Sequence, residues 1–530
     1  MKPSHFVRAL LAGSALVISS TAWAQQPEAQ PDPSDATADA AIAEASELDD
    51  AQAKIELLQA QVEALQESIA QIQAAQAKVT PSWKGTPQLE DKEAGWSFKV
   101  RGRLQYDVGY VSNPDDMIVT RNLGFNSRAR RIRLGAEGTM PGGFNYKCEA
   151  DFANASVGFG DCILGYAPAG KPFSIAIGNQ ETNDGLEQIA SSRFSSFIER
   201  AAFDDAFINT RRMGINLGYV NKANDFRVNA GLFAAHSIDS TLDNDGWIGA
   251  ARAVYSPLMG GNQLHFGLSY QHREFQSNNG ATAASSAGQP STNQLARYRA
   301  RPFTQLTDQR FVDTGNFAAK SDDIIGLEAA GIFKSFHVAA EGQYLKTNAY
   351  EAGDTVVFNA ATDDPVDVLG VFAANQVVPT GNPSFWGGYV EAGYFLTGET
   401  RGYKNGLWDR TKVLKPLSKG GLGAFQVIGR VDYLDLASNK LKNGCTNNFT
   451  TGACTLASLN SRLGRGGTQL GFLAGLTWIP EDYFRVLLNY SHASIEGGPL
   501  AATVKPTSSK PVDERKYSND TVQMRFQVDF

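Results

Sequence analysis

Residues 522–530, VQMRFQVDF, alternate without a break between apolar and polar side chains. One parity holds Val522, Met524, Phe526, Val528 and Phe530, and the other holds Gln523, Arg525, Gln527 and Asp529. Successive side chains of a β-strand point to opposite faces, so this stretch predicts a strand with one apolar and one polar face. The apolar face suits the core of a soluble sandwich or the lipid around a transmembrane barrel, and a single strand does not decide between them.

Residues 1–24 predict a secretory signal peptide. A basic start leads into an apolar run at residues 9–22, and Ala22 and Ala24 flank Trp23 in the small-x-small pattern of a cleavage site. No later stretch offers the roughly 20 consecutive apolar residues that a membrane helix needs. An exported membrane protein with this sequence would therefore have to cross the membrane as a barrel.

The composition indicates neither a nucleic-acid partner nor an enzyme. The net charge is -7, which argues only for solubility of the exposed parts. The six histidines are scattered, no nucleophile elbow occurs, and the Gly-rich stretches lack a phosphate-binding lysine pattern. We therefore expect no enzyme activity and no cofactor. A barrel phospholipase or protease stays open as an alternative, because its catalytic pair can come from distant strands.

Two cysteine pairs are candidates for disulfides, which export permits. Cys148 and Cys162 fall on predicted neighbouring strands, and Cys445 and Cys454 flank an Asn/Thr/Gly-rich stretch that a bridge could close. The alternative is four free thiols.

The region before the strands divides into three predicted parts. Residues 25–47 are rich in Ala, Pro, Asp, Glu and Gln and predict a disordered tether. Residues 48–80 carry a heptad pattern and predict a short coiled coil, which implies partner helices and an oligomer. The seam positions are Leu48, Ala51, Ile55, Leu58, Val62, Leu65, Ile69, Ile72, Gln76 and Val79. Their residue types lean toward two helices, a single amphipathic helix is the alternative, and residues 81–95 are expected to be a linker.

From residue 96 onward a period of two recurs, with short turns at one end of the strands and long Ser/Asn/Gly-rich loops at the other. We count sixteen strands, near residues 96, 127, 144, 160, 172, 211, 226, 246, 262, 322, 336, 384, 421, 468, 483 and 519. This pattern predicts an all-β fold: a sixteen-stranded antiparallel transmembrane β-barrel over residues 96–530, preceded by a periplasmic coiled-coil helix. A soluble β-solenoid would need a fixed repeat, which the chain lacks. The connection at residues 398–420 lies at the short-turn end yet is long, and no pattern accounts for it.

Arginines recur on the predicted lumen face. Arg131 and Arg133 share the inward parity of their strand. Arg128 and Arg130 share the outward parity but lie at the loop end of the strand, where they can reach the channel mouth. Lys99, Arg101 and Arg103 share the lumen face of the first strand, and Arg297, Arg299 and Arg301 alternate within the longest loop. Permanently charged guanidinium groups spaced along one side suit a moving anion. The alternative is that these charges only solvate the lumen and pair with nearby carboxylates.

Five stretches make the chain similar to the phosphate-selective porin family over residues 96–530. They are FKVRGRL at 98–104, the arginine strand at 128–138, DGLEQIASSRFSSFIER at 184–200, the triplet at 297–301 and YFLTGET at 394–400. The resemblance implies a homotrimer in the outer membrane of a Gram-negative bacterium, with a third loop that folds inward and an arginine ladder leading phosphate or other small anions to it. The implied trimer overrides the two-helix lean of the heptad.

Carried over by the resemblance, Arg103, Arg130, Arg131 and Arg200 match constriction or lumen arginines, Asp161 matches a constriction aspartate, and Arg297, Arg299 and Arg301 match the ladder. The chain departs from the family at Gln188, where the most phosphate-selective members carry a lysine. One unit charge about 4 Å from an anion is worth up to about 4 kcal/mol at a dielectric constant near 20, so phosphate selectivity is left open while anion preference is expected. Arg193 is a candidate to supply the missing charge. Two other functions stay open: a general porin, and a tether from outer membrane to cell wall through the coiled coil.

Overall fold

The computed structural model describes residues 36–83, 85–114, 122–153, 157–238, 246–275, 295–350, 355–358, 365–367, 377–443, 466–505 and 507–530. The predicted signal peptide, the first part of the predicted tether, and Cys445 and Cys454 lie outside these residues.

The helix α1 spans Ala36–Lys78 and so begins within the stretch expected to be a tether. Alanine is the best helix former, and its repeated use after residue 36 extends the helix ahead of the heptad. The described seam side chains are exposed, Leu48 at 61% and Leu65 at 61% of their surface. No helix in the described ranges is long and apolar enough to cross a membrane.

The stretch expected to be a linker is instead part of the sheet. Val79–Trp83 and Pro87–Asp91 form two antiparallel strands, and the second pairs with the start of the first barrel strand. Gly85 has a φ of 82°, a conformation open to glycine, and it permits the tight reversal between them. The heptad residue Val79 therefore belongs to a strand.

The prediction of a closed sixteen-stranded barrel is confirmed: sixteen strands of a twenty-stranded sheet form an antiparallel ring. They are β1 Trp96–Val111, β2 Gly124–Met140, β3 Phe144–Asp151, β4 Gly158–Tyr166, β5 Phe173–Glu181, β6 Arg211–Val220, β7 Phe226–Ala234, β8 Gly246–Tyr255, β9 Asn262–Phe275, β10 Phe317–Phe333, β11 Phe336–Ala349, β12 Ser384–Phe395, β13 Ala424–Asp435, β14 Thr468–Glu481, β15 Phe484–Glu496 and β16 Lys516–Asp529. The ring closes where β16 pairs with β1, from Thr521 opposite Val111 to Asp529 opposite Arg103.

The alternation read in β16 has the predicted two faces. Val522 is 48% exposed on the outside, while Arg525 is 1% exposed inside the barrel. The same outward exposure of large apolar side chains recurs around the ring, for example at Leu268, Leu327 and Phe472. An apolar exterior around a polar interior fits a barrel in lipid and excludes the soluble sandwich.

Short helices and strands lie in the loops and turns. The helices are α2 Leu186–Ile189, α3 Ala202–Phe207 and α4 Ala501–Val504, with 3-10 turns at Pro141–Gly143, Leu417–Lys419 and Val512–Glu514. The short strands are Leu258–Met259, Leu295–Ala296, Arg299–Ala300, Val312–Asp313, Thr355–Phe358, Pro365–Asp367, Val377–Pro379, Gly402–Lys404, Leu407–Asp409 and Leu441–Asn443.

The long connection at the short-turn end, residues 396–423, folds back into the barrel and is called the turn segment below. Gly402–Lys404 and Leu407–Asp409 form a two-residue hairpin inside it. Asn405 and Gly406 have φ angles of 55° and 76°, as a type I′ turn requires, so the Asn-Gly pair was a readable hairpin signal. Trp408 is buried, which places this hairpin in the lumen.

One of the two candidate disulfides is present in the described chain. Cys148 and Cys162 are directly paired across β3 and β4 and are bonded to each other.

Candidate functional site

The connection between β5 and β6, residues 182–210, lies inside the barrel and is called loop 3. Arg430 on β13 bridges Glu187 of α2 and Glu391 on β12, with Nη2 2.5 Å and 2.6 Å from the two carboxylates. The backbone N–H of Ala202 donates to Asp432, and that of Ile198 donates to Asn489 over 2.7 Å. Inward-facing charged and polar side chains of three strands thus hold loop 3 against the wall.

Arg200 stabilises loop 3 through hydrogen bonds to the backbone of the loop. Its guanidinium donates to the carbonyl oxygens of Glu187 at 2.8 Å, Gln188 at 2.9 Å and Ala190 at 3.1 Å. Arginine at the carboxy-terminal end of a helix satisfies carbonyls that have no partner within the helix. Its positive charge is held at the lumen without an ion pair to a carboxylate among the described residues.

A β-bulge changes the expected faces of β2. Gln105 pairs with Arg131, but the next residue, Tyr106, pairs with Ala129, so Arg130 is an extra residue in the strand. The bulge reverses the parity before it, and the prediction that Arg128 and Arg130 face outward is therefore wrong. Arg130 binds Glu199 of loop 3 through two nitrogens, at 2.9 Å and 3.3 Å, and Arg128 donates to the backbone carbonyl of Gln305 over 2.8 Å.

The lumen arginines divide by the charge of their partners. Arg103 donates to the hydroxyls of Ser192 at 2.6 Å and Ser191 at 3.3 Å, and Arg131 donates to the amide oxygen of Gln105 at 2.8 Å. These partners are neutral, and neither arginine forms an ion pair with a described carboxylate. Arg133, by contrast, is paired with two carboxylates, Asp151 at 2.7 Å and Glu149 at 2.9 Å.

Asp161 is likewise compensated. It accepts from Arg211 at 2.5 Å and from Lys147 on the adjacent strand. The carboxylate predicted at the constriction is thus held between two cations and adds little net negative charge to the lumen.

Gln188 and Arg193 lie at different points of loop 3. The side-chain amide of Gln188 donates to Glu181 over 3.3 Å, and Gln188 borders a cavity with Arg130 and Arg200. Arg131 borders the adjoining cavity together with Arg193. Arg193 has Asp529 as a distant carboxylate partner, 3.7 Å away.

The triplet of the fifth long loop, residues 276–316, has the predicted alternation. Arg297, Arg299 and Arg301 lie on one side, while Tyr298 and Ala300 are buried on the other. Two of the three are compensated: Arg297 pairs with Asp313 at 2.5 Å, and Arg301 with Asp205 at 3.4 Å and Asp308 at 3.5 Å. Arg299 has no ion pair with a described carboxylate.

Arg310 joins this group, although its single occurrence in the loop gave no sequence signal. Burial lowers the pKa of Arg310 to about 10, and the neighbouring Arg301 and Arg299 guanidinium groups add to the decrease. Burial and the neighbouring Arg297 also lower the pKa of Arg299. The guanidinium groups of Arg299, Arg301 and Arg310 therefore lie close together, with Asp205 and Asp313 nearby.

Three cavities mark the space around these side chains. One of 530 Å³ at the loop end is bordered by Arg128, one of 60 Å³ by Arg130, Gln188 and Arg301, and one of 420 Å³ lies beyond loop 3. Gln305 borders the first two and Arg200 the last two. Nine basic side chains border the 420 Å³ cavity, Arg101, Arg103, Arg131, Arg133, Lys147, Arg193, Arg200, Arg211 and Lys404, against four carboxylates, Glu149, Asp161, Glu181 and Asp409.

The turn segment borders the same large cavity from the other end. The Arg401 guanidinium lies 4.1 Å above the Trp408 ring and donates to the carbonyl of Phe194 in loop 3 over 3.2 Å. Arg401 also donates to His337 on β11, with 3.0 Å between the nitrogens. Sequence reasoning missed this contact between the two inserted segments, because they are more than 200 residues apart.

A closed barrel with an apolar exterior and a charged lumen narrowed by an inward loop defines a porin of the Gram-negative outer membrane. The chain belongs to the phosphate-selective porin O and P family, whose model matches residues 98–530. No cluster of three or more metal-ligating side chains occurs in the described ranges.

Several known proteins resemble the chain. An uncharacterized protein of Caulobacter vibrioides is 32% identical over 466 residues, covering 86% of this chain and 78% of that protein. Porin O of Pseudomonas aeruginosa is 26% identical over 389 residues, covering 69% and 78%. Among solved structures, an anion-selective porin from Comamonas acidovorans has a TM-score of 0.44 at 13% identity, covering 82% of this chain and 100% of that one. The outer membrane channel DcaP of Acinetobacter baumannii has a TM-score of 0.41 at 13% identity, covering 83% and 98%.

Proposed function

We propose that this porin is an anion-selective channel for small oxyanions, phosphate among them, and for chloride. The observation that carries the proposal is the cavity of 420 Å³ with nine basic and four acidic side chains on its border. Three of these arginines donate to uncharged acceptors: Arg103 to a serine hydroxyl, Arg131 to an amide oxygen and Arg200 to backbone carbonyls.

An excess of basic over acidic side chains in such a space favours anions for a physical reason. Loop 3 and the turn segment displace water from the lumen. The effective dielectric constant around an ion in the lumen is therefore well below that of bulk water. The same basic side chains attract an anion and repel a cation along the whole length of the cavity. Guanidinium groups also offer paired donors that match the oxygens of phosphate and carboxylate.

Phosphate is expected to be only weakly preferred over chloride. Gln188 supplies one amide where the family resemblance implies an ammonium, and that amide already donates to Glu181. A divalent anion loses more hydration than chloride, and a neutral group returns less of that free energy than a charged one.

We also propose a homotrimer, assembled in part through α1. Leu48, Ile55, Leu58, Val62, Leu65 and Ile69 expose half or more of their surface along one helix. A helix with such a seam gains stability from partner helices, and the family resemblance implies three.

The experiment is a reversal potential across a planar bilayer with asymmetric potassium chloride, followed by addition of phosphate to one side. We expect a reversal potential with the sign of the chloride equilibrium potential, and a weak block of the chloride current by phosphate. A reversal potential of the potassium sign would overturn the proposal.

A structural tether between outer membrane and cell wall is the second candidate. Loop 3 and the turn segment lie in the lumen, and the cavity between the 530 Å³ and 420 Å³ cavities has a volume of only 60 Å³. Single-channel recording separates the two functions. Reconstituted protein without resolvable conductance would favour the tether.

A further inference from the structure

Two helices of loop 3 each carry a buried side-chain oxygen without a hydrogen-bond partner. Asp204 of α3 is 4% exposed, Gln188 of α2 is 3% exposed, and both residues border the 60 Å³ cavity. Asp204 Oδ2 and Gln188 Oε1 have no partner among the described residues. Gln188 Nε2 donates to the Glu181 carboxylate, so the amide oxygen is the atom left over. A proton on one of the two oxygens makes it a donor for the other.

Charged and titratable groups are present on every element against which α3 packs. These elements are β11, β12, β13 and the short strand Arg299–Ala300. The acidic groups around Asp204 are Glu341 of β11, Glu391 of β12, Asp432 of β13 and, within loop 3, Asp184, Glu187, Glu199 and Asp205. The basic groups are Arg130 of β2, Arg430 of β13, Arg200 of loop 3, and Arg299, Arg301 and Arg310 of the fifth long loop. The hydroxyl of Tyr389 on β12 donates to Glu341 over 2.6 Å. The charge of Asp204 depends on how these groups pair with one another.

Several of the arginines are paired with carboxylates other than Asp204. Arg430 bridges two glutamates, as described above, and Arg301 pairs with Asp205 at 3.4 Å. Arg200 acts on Asp204 through its charge, while its nitrogens donate to three backbone carbonyls. No ion pair joins Asp204 to a basic side chain within the described ranges.

Burial and the neighbouring carboxylates raise the pKa of the Asp204 carboxyl well above its usual range. Burial is the largest cause, Glu187 and Glu341 follow, and Asp184 adds to the rise, while Arg200 opposes it. The carboxyl therefore stays protonated at a pH at which an exposed aspartate is charged. A protonated carboxyl has one O–H donor, and the unpartnered oxygen of Gln188 borders the same cavity.

The remaining wall of this cavity is basic. Arg130, Arg200, Arg301 and the Gln305 amide border it, and it lies between the 530 Å³ and 420 Å³ cavities. Such a wall attracts an anion, and a negative charge on Asp204 would weaken that attraction. The protonation state of Asp204 therefore changes the free energy of an anion in the cavity.

We propose that Asp204 carries a proton in the working channel and donates it, directly or through a water molecule, to Gln188 Oε1. The protonated carboxyl joins α3 to α2 and adds no negative charge to the basic cavity. Loss of the proton in alkaline solution places a negative charge there and lowers anion selectivity. The inference rests on the proposed anion channel for its electrical readout, and it makes the selectivity of that channel depend on one proton.

The electrical test is the reversal potential in asymmetric potassium chloride at neutral and at alkaline pH. The native preference for chloride should fall a few-fold in alkaline solution, because a carboxyl is neutral below its pKa and charged above it. Asp204→Asn keeps the size and neutrality of the protonated acid. Its chloride preference should match that of the native channel at neutral pH and fall less in alkaline solution. An equal fall in both proteins would overturn the proposal.

Asp184 contributes a second titration in the same direction. Burial raises the pKa of Asp184 to about 7, and Glu181 adds to the rise, while Arg273 opposes it. Asp184→Asn combined with Asp204→Asn should therefore remove the alkaline change that Asp204→Asn alone leaves.

Asp205→Asn is the matched control. It removes a charge one residue away that is paired with Arg301, so the chloride preference should rise already at neutral pH. The fall in alkaline solution should persist, because Asp204 is unchanged. An equal rise in Asp204→Asn at neutral pH would show that Asp204 is charged there and would overturn the proposal.

Infrared spectroscopy tests the proton without relying on ion flow. The native protein at neutral pH should show a carboxylic-acid C=O stretching band that disappears in alkaline solution and is missing in Asp204→Asn. A native spectrum without such a band would overturn the proposal whether or not the variant folds. A cation-selective channel with the band would refute the proposed function and leave the proton at Asp204 standing, whereas an anion-selective channel without it would refute the proton alone.

Discussion

The side-chain amide of Gln188 donates to the carboxylate of Glu181 across 3.3 Å, and the same carboxylate lies 2.9 Å from Arg211. Position 188 therefore faces a negative group at the end of β5. A lysine introduced there would share its charge between Glu181 and a passing anion. The full Coulomb gain expected for an isolated ammonium would not be reached.

Gln188→Lys should accordingly deepen the phosphate block of chloride current by a few-fold only. Adding Glu181→Gln should deepen it further, because the ammonium then lacks its carboxylate partner. The measurement is chloride conductance against phosphate concentration, with Gln188→Met as the uncharged control. If the native channel is blocked as strongly as Gln188→Lys, another group such as Arg193 already supplies the charge.

Arg131→Ala should shift the reversal potential toward that of cations. Arg131 has the neutral Gln105 as its partner, so its removal deletes charge without freeing a carboxylate. Arg131→Lys keeps the charge and should leave the sign of selectivity unchanged. An unaltered reversal potential in Arg131→Ala would show that the other cavity arginines determine selectivity.

Within the ladder, Arg299→Ala should reduce anion conductance more than Arg297→Ala. Arg297 is compensated by Asp313 at 2.5 Å, whereas Arg299 has no such pair among the described residues. Exposed charge is screened within about 8 Å at physiological salt, so the loss should be greatest at low salt. Equal losses at low and high salt would argue against a role in concentrating anions at the mouth.

Deleting residues 36–78 should weaken the trimer without preventing barrel insertion. The deletion removes α1 but stops before Val79, which pairs with Asp91 in the sheet. The measurement is heat-dependent mobility in detergent gels. A deletion that includes Val79–Trp83 is a useful comparison, since it should also disturb the start of β1. Unchanged trimer stability after removal of residues 36–78 would exclude α1 as an assembly element.

The local pattern of the sequence determined the barrel. Strict alternation, as in residues 522–530, assigns each side chain to lipid or lumen because the strand period is two wherever the ladder is regular. The number of strands, the ends with short turns and the alternating triplet Arg297, Arg299 and Arg301 all followed from the same local rule. In a regular strand, the face on which a side chain lies can be assigned without knowing the partner strand.

Only the tertiary structure decided which charges remain free. The bulge at Arg130 turned two arginines inward, since an extra residue in one strand is defined only by the strand it pairs with. The partners Glu149, Asp151, Glu199 and Asp313 neutralise arginines that look equivalent in sequence to Arg131 and Arg299. Insertion of the turn segment depends in the same way on contacts between distant segments. Charge compensation is set by which side chains meet in space, and a one-dimensional period carries no information about that.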